Sequence, residues 1–248
     1  LKSFFFVSFS IFNLLKRYEQ NEIDKIRCDK SLLEVPVFSL TNDISRKKFS
    51  NEKIIICENQ NAGLLNLIGL ENFIFVPEKD SSSVYIKTTT NIDYYGLRDR
   101  DFLVDEEIEK IKNKHTNYFI LGYYCIENYL YHPDNIGELK LAGFDKNEYI
   151  KEIVRQKNEV IIDIIANFKR ARTSYQEFKI QENKFEIKEK EMKIADYLKS
   201  DDIEIFFKSY SMKDKFKKDM LMKYGLKHEE LSNTNWIKKN ILSILNKE

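Results

Sequence analysis

Residues Lys53-Ile-Ile-Ile-Cys57 constrain this chain more than any other segment, because three β-branched residues follow one another without a polar interruption. A half-exposed strand would alternate apolar and polar positions. A continuous run suits a strand buried on both faces, inside a parallel sheet. The run ends at Glu58, and the polar Asn59-Gln60-Asn61 follows. Ala62 to Ile68 then carries apolar residues at helical spacing. Asn72 to Pro77 reads as a second strand stopped by its proline, and Ile92 to Leu97 as a third. Val104 to Lys114 predicts a charged amphipathic helix, and Asn117 to Leu121 a fourth strand. This alternation implies an α/β fold with a mainly parallel sheet flanked by helices.

From Asn147 onward the strand signal fades. Tyr149, Ile150, Ile153, Val154, Val160, Ile161, Ile164, Ile165 and Phe168 recur at helical spacing and predict one or two amphipathic helices. Residues 180–193 read as a solvated helix or a linker. Asp201-Asp202 suits an N-cap before Ile203 to Phe207. Lys213 to Tyr224 predicts a helix closed by Gly225, and the last helix falls within Ser232 to Asn246. Three regions are expected: residues 1–50, an α/β domain over 51–145, and a helical C-terminal lobe over 146–248.

Charge and cysteine usage narrow the functional classes. Forty-one basic residues balance 40 acidic ones, a net charge of +1 over 248 residues. That excludes a generally basic nucleic-acid coat and an acidic tail protein, so any anion-binding site must be local. Cys28, Cys57 and Cys125 lie far apart, as do His115, His132 and His228. This spacing supports neither a disulfide framework nor a zinc ribbon, and a reducing cytoplasm is the expected compartment. The opening run Leu1 to Leu15 is broken by Ser3, Ser8, Ser10 and Asn13. It is too short to span a bilayer, so no membrane association is expected. It reads instead as a strand over Phe4 to Phe9 and a helix over Ile11 to Tyr18. The absence of an initiator methionine suggests a fragment of a longer product.

Ligands of open α/β sheets gather at the carboxyl ends of the parallel strands. Glu58 directly follows the first predicted strand there, and Asp99 and Asp101 follow the third. Residues i and i+2 of an extended segment point the same way, so Asp99 and Asp101 are expected to face one hard cation together. A D-x-D triplet also arises by chance in a chain with 40 acidic residues. Glu127, set among apolar residues in Cys125-Ile-Glu-Asn-Tyr-Leu130, reads either as a further metal ligand or as a hydrogen-bond acceptor. Arg98 and Arg100 alternate with the aspartates. They are expected to face away from them, forming salt bridges or meeting phosphate. Lys169, Arg170 and Arg172, near Phe168 and Tyr175, form the densest basic cluster with aromatic neighbours and a candidate nucleic-acid contact. The run Lys213, Lys215, Lys217 and Lys218 reads as a solvated face or a further electrostatic track.

The segments KIIICEN, YYGLRDRDF and YFILGYYCIENYL resemble the Toprim-like nuclease family, in a branch associated with ABC-type ATPases in antiphage defence. The family's strand-terminal Glu matches Glu58, and its Asp-x-Asp matches Asp99 and Asp101. The segments Gly96 to Phe102 and Ile126 to Leu130 carry the branch resemblance, which covers about residues 50–135. The family's glycine after the Glu is replaced by Asn59-Gln60-Asn61, which implies a differently shaped loop. The resemblance implies Mg²⁺-dependent cleavage of RNA or DNA phosphodiesters, with Mn²⁺ as an alternative ion. Asp99 and Asp101 would hold metal, and Glu58 would serve as ligand or general base. It also implies an ABC-type ATPase partner in cis or trans and allows an oligomer. Residues 1–50 resemble the closing part of such an ATPase domain. A non-catalytic module that assembles with the ATPase is the alternative. The chain lacks the zinc motif of a primase and an identifiable transesterifying tyrosine of a topoisomerase.

Overall fold

Burial of the KIIIC run organises the sheet. In a computed structural model, which describes residues 52–172 and 184–246, Lys53–Glu58 forms strand β1, with Ile54, Ile55, Ile56 and Cys57 all buried. Each buried isoleucine contributes roughly 1.5–3 kcal/mol of hydrophobic stabilisation. Helix α1 (Asn59–Ile68) follows without a linker and ends at Gly69, whose φ of 64° is the left-handed cap geometry. Strand β2 (Phe73–Glu78) runs past Pro77 rather than stopping at it. The strand lies at the sheet edge, where a missing N–H can be accommodated. Helix α2 (Ser81–Thr90), strand β3 (Tyr95–Arg98), helix α3 (Asp105–Lys114) and strand β4 (Tyr118–Ile120) complete the α/β part.

All pairings are parallel, and the strand order is β2-β1-β3-β4. The chain moves from β1 to one neighbour, then returns past it to build the other side. The reversal creates a topological switch point between β1 and β3, where their carboxyl ends diverge around a crevice. The register sets Cys57 beside Leu97, so Glu58 and Arg98 end neighbouring strands. Gly96 lets α2 approach β3 closely. A Cβ there would lie 2.4 Å from Thr88 Oγ1 and 2.8 Å from Tyr118 Cδ2.

Helices α4 (Ile126–Leu130), α5 (Pro133–Glu138), α6 (Lys146–Arg172), α7 (Lys184–Lys199), α8 (Ile203–Phe206), α9 (Asp219–Met222), α10 (His228–Ser232) and α11 (Asn235–Leu245) follow. Tyr149, Ile153, Ile164 and Phe168 of α6 are buried, and they share one continuous core with Ile55, Leu97 and Ile120 of the sheet. Lys157, on the same helix, is fully buried, and its Nζ donates to the carbonyls of Leu198 and Ser200, which lie at the end of α7. Asp202 caps α8 as expected. The helix expected from Lys213 shrinks to α9, although Gly225 does adopt a φ of 59°. Among the described residues no helix is long and apolar enough to cross a membrane. The strand, helix and ATPase-like reading of residues 1–50, Cys28, Tyr175 and the side chain of Lys169 lie outside the description.

Candidate acidic site at the strand switch point

Three elements deliver carboxylates to the β1/β3 crevice. Glu58 ends β1 and serves as the N-cap of α1, but its side chain makes no capping bond. Its carboxylate lies near Ser81 at the start of α2, whose hydroxyl weakly favours the charged form. Asp99 follows β3 and is only 6% exposed. Asn61 Nδ2 donates to its Oδ1 at 2.9 Å. Thus the polar Asn59-Gln60-Asn61 segment is the first turn of α1, and it supplies a neutral donor to the buried acid. Glu127 comes from α4 and is also buried, with one carboxylate oxygen, Oε2, lacking a hydrogen-bond partner among the described residues.

The extended geometry expected across Asp99 and Asp101 is not observed. Strand β3 stops at Arg98, and Asp101 has a φ of 50°, in the left-handed region that non-glycine residues seldom occupy. The resulting turn folds Asp101 back onto Arg98, whose Nη2 donates to Asp101 Oδ2 at 2.6 Å. Arg98 therefore does not face away from the aspartates. It is fully buried, and its Nε also donates to the Asp99 carbonyl. Arg100 is buried too, and it donates to the Gly122 carbonyl and to Asp105. Arg172 makes a two-pronged pair with Glu107, at 2.8 and 2.6 Å, with little exposure on either side. Its place in the basic cluster is corrected accordingly: it ties α6 to α3. Arg98, Arg100 and Arg172 cannot meet a nucleic-acid backbone in this arrangement. Arg170 stays on the exposed side of α6.

The carboxylates feel one another. Burial, then the negative charges of Asp101 and Glu58 and more weakly Glu127, push Asp99 well above the usual carboxylate range, against the opposing Asn61 bond. Burial and Asp101 also raise Glu58, while Arg98 and Lys213 pull it back. Lys213 is thus a residue that sequence reasoning assigned to a solvated run but the fold brings to the rim of the crevice. Cys125 and Cys57 are buried thiols driven upward by burial and by Asp99, so neither is poised as a nucleophile. Tyr129 is core, its hydroxyl accepting from the Gly122 and Tyr123 amides.

Among the described residues no three His, Cys, Asp or Glu side chains stand close enough to form a ready-made metal cage. The carboxylates are within electrostatic reach of each other, short of joint coordination. Their chemistry nonetheless suits a hard divalent ion. They are oxygen donors, Asp99 is held where it favours positive charge, and Glu127 keeps an orphaned buried oxygen. Comparisons with protein-family models, curated proteins and solved structures return no match.

Proposed function

We propose that this chain is a Toprim-like, metal-dependent nuclease whose acidic crevice hydrolyses RNA or DNA phosphodiesters. One observation carries the reading: Glu58 from β1, Asp99 and Asp101 from the turn after β3, and Glu127 from α4 lie within electrostatic reach of one another at the switch-point crevice, where burial and the neighbouring carboxylates raise Asp99 and Glu58. Asp99, Asp101 and Glu127 would hold Mg²⁺ or Mn²⁺. When bound, that ion would supply charge neutralisation at the phosphate and a more acidic water. Glu58 is the general base. Burial and Asp101 raise its proton affinity, which suits a carboxylate that takes a proton from the attacking water. The water oxygen bonds to phosphorus, the bond to the leaving oxygen breaks, and Glu58 holds the released proton. Lys213 at the rim attracts the anionic strand that the acids alone would repel. The motif resemblance extends the proposal to control by an ABC-type ATPase, as in antiphage systems.

A second reading rests on Arg98. Its buried guanidinium already sits among these acids and pairs Asp101, so the crevice carries part of its own counter-charge. A scaffold stabilised in that way would act as a non-catalytic assembly module for the ATPase. Incubating the chain, alone and with its ATPase partner, with mixed RNA and plasmid DNA in Mg²⁺ separates the two. The nuclease reading expects metal-dependent cleavage that Glu58→Gln and Asp99→Asn abolish. Intact substrates in both mixtures, together with no calorimetric signal for Mg²⁺ or Mn²⁺, would sink it in favour of the module.

A further inference from the structure

A cavity of about 380 Å³ lies beside the acidic crevice, within the roughly 300–1,000 Å³ typical of small-molecule pockets. Its wall includes Phe102, Tyr124, Arg170, Ser209, Asp214 and Lys215. Several contacts tie it to the acids. Phe102 follows Asp101 directly, and the Asp101 amide donates to the Tyr124 carbonyl at 3.0 Å. On the opposite strip, Ser211 Oγ lies 3.9 Å from Cys125 Sγ, two residues before Glu127. Lys213, between Ser211 and Lys215, acts on Glu58. The residues lining the cavity thus adjoin those of the crevice in the chain and through these contacts.

The lining chemistry is that of a nucleoside. Tyr124 is half-buried, with Phe102 edge-on to it at a centroid distance of 5.2 Å, so the wall offers aromatic surface for a base. Ser209, among the lining residues, is 1% exposed, and its hydroxyl has no hydrogen-bond partner among the described residues. The Asp214 carboxylate offers an acceptor for an exocyclic amine. Arg170 and Lys215 bring positive charge for phosphate.

We infer that this cavity binds one unstacked base of a single-stranded nucleic acid and thereby delivers the adjoining phosphodiester to the acidic crevice. The inference rests on the nuclease reading above and adds its substrate class. A base within a duplex cannot enter the cavity without leaving its stack, so single strands are favoured.

The test is fluorescence anisotropy with the full chain in EDTA, which suppresses hydrolysis. The probes are labelled oligonucleotides of about 12 nucleotides, within the ~4–16 nucleotide sites of single-strand binders, in ribose and deoxyribose forms. Each is compared with a fully abasic deoxyribose strand and with the duplex. A base-bearing single strand is expected to bind about tenfold more tightly than the abasic strand, in line with stacking on aromatic side chains. Tyr124→Leu should erase that preference without weakening abasic binding, and Arg170→Ala with Lys215→Ala should weaken both strands. Equal affinity for base-bearing and abasic strands in the wild-type chain, or binding of neither, would overturn the subsite. A parallel Mg²⁺ cleavage assay keeps the two proposals apart. Cleavage without base preference removes the subsite alone, and base preference without cleavage supports the subsite while removing the hydrolytic assignment.

Discussion

Replacing Asp99 with asparagine should make the metal-free protein more stable while removing the proposed cleavage activity. The exchange preserves size and keeps an acceptor oxygen for Asn61 Nδ2, now 2.9 Å from Asp99 Oδ1. It deletes a buried charge that burial, Asp101, Glu58 and Glu127 all disfavour. Relieving such functional-site conflicts commonly stabilises by ~0.5–2 kcal/mol. Converting the Asn61 bond from charge-assisted to neutral gives back up to about 1 kcal/mol. The net gain is then about 1 kcal/mol, or ~2–4 °C in Tm for a chain of this size. Because the folded pKa is raised, the folded state holds this proton more tightly than the unfolded one. The destabilisation by Asp99 is therefore absent below the unfolded value of about 3.9 and grows as pH rises through the folded value. Thermal unfolding in EDTA at acidic and at mildly alkaline pH should show the variant's advantage only in the alkaline sample. Saturating Mg²⁺ should reverse the order, since ligand at 100 Kd stabilises the wild type by ~2.7 kcal/mol. A variant less stable than wild type in EDTA at alkaline pH, or an offset independent of pH, would refute the electrostatic argument. An order unchanged by Mg²⁺ would count against the cation site.

Three further outcomes follow from single contacts. Gly96→Ala forces a Cβ to within 2.4 Å of Thr88 Oγ1, and this overpacking should cost ~1–3 kcal/mol in urea denaturation; an unchanged midpoint would mean that α2 yields freely. Arg172→Ala strands the buried Glu107 with Lys190 as its remaining cation at 2.8 Å, so the loss should approach the lower end of ~3–5 kcal/mol; nucleic-acid binding by the folded variant should not change its salt dependence. Burial alone would raise Asp105, but Lys208 and Arg100 hold it at about 2. Its contribution to stability is thus present above about pH 4 and disappears as pH falls through about 2, and Asp105→Asn should flatten that part of the acid-unfolding curve.

The order of sheet and helices was legible because β1, β2, β3 and β4 each rest on short apolar runs, and burial leaves such runs few alternatives. Helix α2 was not, since Ser81-Ser-Ser-Val-Tyr-Ile-Lys-Thr-Thr-Thr90 has poor helix propensity and little amphipathic pattern. It forms because Asp80 caps it through the Ser83 amide, and because Thr88, Thr89 and Thr90 return their hydroxyls to carbonyls of the preceding turn. Tertiary packing against Gly96 selects that conformation, and no local pattern announces it. At the site, the strand-end positions of Glu58 and Asp99 could be read from the end of each apolar run. The turn at Asp101 could not, since nothing in Arg98-Asp-Arg-Asp101 specifies a left-handed backbone. Alternation therefore assigned Arg98 the wrong direction. Basic clustering likewise could not distinguish exposed Arg170 from buried Arg172, which sit two positions apart near the end of α6.

That turn also divides the two aspartates, which sequence spacing treats as equivalent. Asp101 receives the Arg98 guanidinium, and among the described residues the Asp99 carboxylate receives a neutral amide. The repulsion among the buried carboxylates accordingly falls most heavily on Asp99, and the proposed cation would act there. Substituting the two aspartates should then change stability in opposite senses. Asp101→Asn withdraws the anion held 2.6 Å from a fully buried arginine. Asp101 is partly exposed, so the loss should be about 1–3 kcal/mol rather than that of a wholly buried pair. Urea unfolding of both variants in EDTA reads the difference directly. Asp99→Asn should move the midpoint up and Asp101→Asn should move it down, while cleavage falls in both. Shifts of the same sign would mean that Arg98 serves the two carboxylates alike, and the uneven sharing of charge inferred for this crevice would be wrong.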